Sequence, residues 1–188
     1  MNNKVLVTGG AGYIGSHVVR HLGEAGYDVI VYDNCSTGCI DNILYGELVV
    51  GDLADTELLY NVLSGHQFSA VLHFAASLIV PESVARPLDY YSNNTRNTLN
   101  LLECCNLTGV NKIIFSSTAA VYGEPEKIPV TESTPTQPIN PYGRSKLMSE
   151  WLIQDYAAAS DLKYVILRYF NVAGAEPSGR IGQISPNA

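Results

Sequence analysis

Lys4-Val5-Leu6-Val7-Thr8-Gly9-Gly10-Ala11-Gly12-Tyr13-Ile14-Gly15 decides how this chain folds. Residues 4–8 are a short apolar run with the composition of a buried strand. That run passes directly into glycines spaced G-x-x-G-x-x-G. In a strand-to-helix turn over a pyrophosphate, one glycine permits the tight turn, one lets backbone approach the ligand, and one lets helix pack closely on strand. The N–H groups at the start of the following helix would face the anion. In a chain with 16 Gly the spacing alone is weak; its position between strand and helix gives it weight. Ile14, Val18, Leu22 and Ala25 then recur at near-helical spacing, and Gly26 suits a helix stop.

Beyond that helix, Val29-Ile30-Val31-Tyr32 predicts a second strand ending at Asp33, 18 residues past Gly15. A dinucleotide-binding fold places a carboxylate here on the adenosine ribose hydroxyls, and an anion at this point repels a 2′-phosphate, so NAD is expected rather than NADP. Taken alone, Asp33 equally suits a turn with Asn34, Ser36 and Gly38. A triphosphate-binding loop of the form G-x-x-x-x-G-K-[ST] is disfavoured, because Gly10 and Gly15 lead into Ser16 and His17 instead of lysine.

Strands are also expected at 47–50, 70–73, 112–116 and 164–168, with helices from about Thr56, over 94–105 and from Tyr142. This alternation predicts an α/β fold, a Rossmann-like doubly wound parallel sheet with helices on both faces and ligands at the carboxyl ends of the strands. Those ends hold Gly9, Asp33, Asp52, Phe74-Ala75-Ala76, Ser116-Ser117-Thr118 and Tyr169-Phe170-Asn171. Asp52, beside Leu53, reads as an acceptor for the adenine amino group or as a helix cap. Ala75 and Ala76 are small enough to let backbone pass close to a cofactor.

Tyr142 and Lys146 lie one helical turn apart, on one face of the expected helix. A phenol needs its pKa lowered by roughly three units from about 10 to act as a base at neutral pH. An ammonium and the positive end of a helix dipole both push that way. Asn140-Pro141 reads as an N-cap followed by proline at the first helical position. Between Thr118 and Tyr142, five of the nine prolines mark a long irregular loop.

With 188 residues and 46% apolar content, one compact domain is expected. A net charge of −7 without a basic stripe argues against a nucleic-acid surface. Apolar runs are too short to span a membrane, and a strand beginning at residue 4 leaves no room for a signal peptide, so a cytoplasmic location is expected. Cys35, Cys39, Cys104 and Cys105 lack paired C-x-x-C spacing; reduced thiols and no metal are expected.

Several motifs together resemble the extended short-chain dehydrogenase/reductase family over essentially the whole chain. They are Thr8-Gly9-Gly10-Ala11-Gly12-Tyr13-Ile14-Gly15-Ser16-His17, His73-Phe74-Ala75-Ala76, Pro81-Glu82-Ser83-Val84, Tyr90-Tyr91-Ser92-Asn93-Asn94, the stretch Phe115 to Gly123, Pro141-Tyr142-Gly143-Arg144-Ser145-Lys146 and Leu167-Arg168-Tyr169-Phe170-Asn171. Within the family the likeness is to the branch that inverts C4 of UDP-hexoses. It implies tightly held NAD and interconversion of UDP-glucose and UDP-galactose through a transient 4-keto sugar. It implies Thr118, Tyr142 and Lys146 as catalytic residues. The implied NAD-binding set is Gly9, Gly12, Tyr13, Ile14, Gly15, Asp33, Asn34, Asp52, Leu53, Phe74, Ala75, Ala76 and Asn93, with Tyr142 and Lys146. Thr118, Tyr142 and Asn171 would face the UDP-sugar.

Dehydratases of the same family need an added acid and base, supplied as Asp-Glu, where this chain has Ala119 and Ala120. Epimerases of N-acetylated, pentose or uronate UDP-sugars remain alternatives. The family continues for roughly as long again with a smaller substrate-binding domain, here largely absent. Residues 1–176 are therefore expected to be the NAD-binding domain, and 177–188 the truncated start of the substrate-binding region. A cofactor-binding module without turnover is the competing expectation, because orientation of the sugar needs the remote uridine grip. Relatives dimerise through paired helices, corresponding to 94–105 and 142–159, although apolar faces there equally suit packing on the sheet.

Overall fold

The computed structural model describes residues 3–184. Six parallel strands, β1 (Lys4–Thr8), β2 (Asp28–Asp33), β3 (Glu47–Val50), β4 (Ala70–His73), β5 (Lys112–Ser116) and β6 (Lys163–Leu167), form one sheet in the order β3-β2-β1-β4-β5-β6. The chain leaves β1 toward β2 on one side and reaches β4 on the other. The reversal opens a crevice at the carboxyl ends of β1 and β4, the place where such sheets bind ligands.

Alternation along the strands builds two cores, because successive side chains point to opposite faces. Val5, Val7, Val29, Val31 and Leu72 pack on α1 (Tyr13–Glu24) through Val18, Val19 and Leu22. Leu6, Ile30, Tyr32, Val71 and Phe115 face the other way. They meet Leu59 and Leu63 of α2 (Thr56–Ser64), and two later helices cover the rest of that layer. At the sheet edge, Val165 and Leu167 of β6 remain exposed.

Caps explain where the helices begin. Asp55 accepts the Leu58 N–H at the start of α2. The α1 helix has no side-chain cap and no acidic residue in its first turn, so no side chain caps the N–H groups of that turn. It stops at Glu24, with Gly26 at φ 82°.

Two short helices were not expected from the sequence: α3 (Val80–Ala85) and α4 (Pro87–Tyr90). Each has proline in its first turn, and neither is long enough to show a periodic apolar face. The helix expected at 94–105 begins instead as a π-helical turn, Tyr91–Arg96, and continues as α5 (Asn97–Thr108). Within that turn Asn94 is buried, donating to the Ser77 carbonyl and the Ser145 hydroxyl and accepting the Ser77 N–H. The widened turn accommodates these tertiary bonds. The last helix, α6 (Pro141–Ala159), starts as expected, with Asn140 accepting the Gly143 N–H and Pro141 at the first position. The last strand lies one residue earlier than expected.

After β6 the chain returns to α1. Tyr13 donates its phenol proton to the Gly174 carbonyl at 2.6 Å, and Arg20 pairs with the buried Glu176 at 2.8 Å. Of the segment 177–188, residues 185–188 lie outside the described residues. Among the described residues no helix is long and apolar enough to cross a membrane, and no cluster of His, Cys, Asp and Glu could hold a metal ion.

Candidate active site

The glycine turn is packed so tightly that side chains are excluded from it. A Cβ on Gly9, whose φ is +73°, would lie 2.4 Å from the Ala75 nitrogen; one on Gly15 would lie 2.1 Å from the Gly9 carbonyl oxygen. Thus Gly9 brings β1 against the end of β4, and Gly15 brings α1 against the turn. Gly12 differs. Its Cβ would meet only the Gly9 oxygen, at 3.2 Å, so the helix start is open on that side.

Asp33 closes the neighbouring edge. Its carboxylate is nearly buried, accepting the Ala11 N–H at 2.9 Å on Oδ2 and the Cys35 N–H at 2.8 Å on Oδ1. Each oxygen keeps a further lone pair for an outside donor. Asn34 donates to Asp52 Oδ2 at 2.7 Å, joining the ends of β2 and β3. Asp52 also accepts the Ala54 N–H, while the adjoining Leu53 is buried. Phe74 continues the β4 ladder by donating its N–H to the Thr8 carbonyl, and Ala75 and Ala76 are half-buried beside the turn. Asn93 donates to the Ser77 hydroxyl at 2.9 Å. Tyr13 and Ile14 are half-buried in the first turn of α1.

The other part of the site is built by β5 and α6. Thr118 follows β5, and its hydroxyl accepts the Ala120 N–H at the start of a tight helical turn, Ala119–Tyr122. Burial pushes the Tyr142 phenol up from its ordinary pKa, and hydrogen bonding to Thr118 pulls it part of the way back. The Tyr90 ring meets that of Tyr142 edge-on, with centroids 6.5 Å apart.

Lys146 is buried, donates to the Ser116 carbonyl at 2.7 Å and stands 4.8 Å above the Phe115 ring. Burial lowers its pKa to about 7, against the opposing pull of Glu150. The sequence led us to expect the ammonium to depress the Tyr142 pKa. In the structure the ammonium is directed to Ser116 and Phe115, while Tyr142 is shifted by burial and by Thr118.

Asn171 is exposed beyond β6 and has no side-chain hydrogen bond among the described residues. Asp33 ends β2, and Gly9, Ala75, Thr118 and Asn171 follow the carboxyl ends of their strands, on the same edge of the parallel sheet. Sequence reasoning missed His73, buried between Thr8 at 2.7 Å and Thr98 at 3.0 Å. Because the Thr98 hydroxyl donates to the Asn94 carbonyl, it accepts from His73 Nε2, leaving Nδ1 to accept from Thr8. Burial, with the nearby Lys146, lowers the His73 pKa to about 3. In the sequence His73 stands only as the first residue of the His73-Phe74-Ala75-Ala76 motif, with no signal of the two hydroxyls that hold it.

Comparison with known proteins matches residues 5–187 to the model of the NAD dependent epimerase/dehydratase family. A UDP-glucose 4-epimerase of Azospirillum brasilense is 56% identical over 186 residues, 98% of this chain and 53% of that protein. The structure of UDP-glucose 4-epimerase from Brucella ovis in complex with NAD superposes with a TM-score of 0.97 at 46% identity, covering 99% of this chain and 57% of that one. A UDP-Glc/GlcNAc 4-epimerase from Campylobacter jejuni gives 0.89 at 48% identity, covering 98% and 58%. The chain spans about half the length of the curated relatives it matches. With the family model covering nearly all its residues and the glycine turn, Asp33, Thr118, Tyr142 and Lys146 set along one sheet edge, the chain belongs to the NAD dependent epimerase/dehydratase family.

Proposed function

We propose that this chain forms the NAD-binding and proton-handling half of a UDP-hexose 4-epimerase acting between UDP-glucose and UDP-galactose. The observation that carries the reading is the shared sheet edge. It sets an uncapped helix start and the Asp33 carboxylate in the same row of strand ends as Thr118, followed by the helix bearing Tyr142 and Lys146.

The residues fit NAD. Backbone N–H groups at the open side of Gly12 suit the diphosphate, and the spare lone pairs of Asp33 suit the adenosine ribose hydroxyls. Asp52, with Asn34 and Leu53, would border the adenine; Ala75, Ala76, Phe74 and Asn93 would line the cofactor's course. Lys146 would hold the nicotinamide ribose. When bound, NAD supplies a hydride acceptor that takes hydride from sugar C4 and returns it to the opposite face.

Tyr142 removes the proton from the sugar 4-hydroxyl at its phenolic oxygen and later returns it. Thr118 hydrogen-bonds the same sugar oxygen and steadies the phenolate. Asn171, exposed at the same sheet edge, would bind the sugar side. Methyl groups at Ala119 and Ala120 cannot transfer protons, which favours epimerisation over dehydration. An N-acetylated hexose is the second reading, suggested by the Campylobacter relative's action on both sugar types.

The reading extends to galactose metabolism in the cytoplasm, in keeping with four free thiols. It extends also to a homodimer, for which the exposed Leu99 and Leu107 on α5 and Met148 and Trp151 on α6 offer apolar contacts. It assigns residues 1–176 to the NAD domain and 177–188 to the start of the substrate-binding region.

Residues 1–188 assayed alone should bind NAD and turn over slowly, since half the relatives' length supplies no contact here. Supplying UDP-galactose and following UDP-glucose by NMR tests this. Any turnover should vanish in Tyr142→Phe with NAD binding retained; activity indifferent to that change would refute the assignment.

A further inference from the structure

Glu150 is fully buried four residues after Lys146 on α6, a spacing that puts both side chains on one helix face. Its carboxylate is held by both strand ends. Arg168, just after β6, donates from Nε at 3.0 Å to Oε1 and from Nη2 at 2.5 Å to Oε2. Ser117, just after β5, donates its hydroxyl proton to Oε1. Arg168 also donates to the Tyr122 hydroxyl at 3.1 Å and lies over that ring.

Each anchor is next to a residue of the site. Ser117 precedes Thr118, and Arg168 precedes Tyr169, whose carbonyl accepts the Ala119 N–H at 2.9 Å. A buried ion pair adds little net stability over apolar packing. This one has a different consequence: it fixes the helix bearing Tyr142 and Lys146 against the strand end bearing Thr118.

We propose that Glu150 is a positioning residue for this chemistry: through Arg168 and Ser117 it fastens α6 to the ends of β5 and β6, and it sets a carboxylate one helical turn from Lys146. The inference rests on the reading of Tyr142 and Lys146 as the proton-handling pair. Glu150 on its own helix and His73 on β4 act on Lys146; Tyr142 stands one turn before it on α6, and Arg168, after β6, lies beyond Glu150 and is paired with that carboxylate. From β5 Lys146 meets only the neutral Phe115 ring and the Ser116 carbonyl. His73, neutral at pH 7, supplies no negative charge, so Glu150 is the anion that opposes the loss of the lysine's proton.

Carbon-13 NMR of the chain labelled at lysine Cε, with Lys146 assigned by Lys146→Met, tests this without requiring turnover. Glu150→Gln keeps the shape and removes the charge; Lys146 should release its proton about tenfold more readily. Ser117→Ala breaks one bond but keeps the charge, and should leave the titration in place. A merely structural ion pair would not move Lys146. If Arg168 left without its anion unfolds the single variant, Glu150→Gln with Arg168→Gln removes both charges of the pair, and Lys146 should then shift in the same direction by a smaller amount, since the nearer charge is the anion. A folded variant lacking Glu150 in which Lys146 titrates as in the parent overturns the proposal. Failure of NAD binding with the Lys146 shift intact would instead count against the proposed function.

Discussion

Replacing Gly12 with alanine should separate binding from folding. Gly12 has φ −73° and ψ 171°, a conformation alanine adopts freely, and the new methyl would touch only the Gly9 oxygen at 3.2 Å. Folding stability should therefore change by no more than about 1 kcal/mol. The methyl would nevertheless project into the open side of the α1 start, where the diphosphate is assigned. Displacing one phosphate oxygen from a backbone N–H forfeits a charge-assisted hydrogen bond of about 2 kcal/mol, or a loss of affinity of roughly 30-fold. Gly15→Ala is the contrast. Its methyl would lie 2.1 Å from the Gly9 oxygen, so backbone must move and stability should fall by about 1–3 kcal/mol or more. Urea melts and calorimetric NAD titration of nucleotide-stripped protein measure both effects. A folded Gly12→Ala variant binding NAD as tightly as the parent would refute the placement of the diphosphate.

Asp33→Asn should lower the preference for NAD over NADP by about tenfold by removing like-charge repulsion, read from paired titrations. It should also cost about 1–2 kcal/mol of stability, because Asp33 accepts from both Ala11 and Cys35 and one amide nitrogen cannot. For Lys146 the folded pKa, about 7, lies below its ordinary value of 10.5, so the unfolded state holds more protons between those limits. Stability should rise with pH across that window, and the full cost of burying the ammonium is present below it. Lys146→Met should flatten this dependence in urea melts from pH 6 to 9; an unchanged slope would contradict the burial argument.

Local signals made much of the fold legible. The first five strands end where their apolar runs end, the glycine turn lies where its spacing requires, and Asn140-Pro141 starts α6. These features depend on residues close together in the chain, whose steric and capping rules act locally. The π-helical turn was not legible, since Asn94 is drawn in by Ser77 and Ser145, and Ser145 is distant in sequence. Glu150 was hidden for the same reason: its partners lie at Ser117 and Arg168, and in isolation it reads as an ordinary polar residue of a helix. The contacts of Lys146 with Ser116 and Phe115 were not legible because the direction of a long side chain is set by packing. Its spacing from Tyr142 fixes only the shared face.

The glycine turn and Asp33 are assigned to hold NAD in this chain. Mass spectrometry and absorbance of the nucleotide released when the purified chain is denatured test it most directly. NAD should be recovered in near-stoichiometric yield, or taken up to that level when supplied. A chain that releases no dinucleotide and takes up none would contradict it.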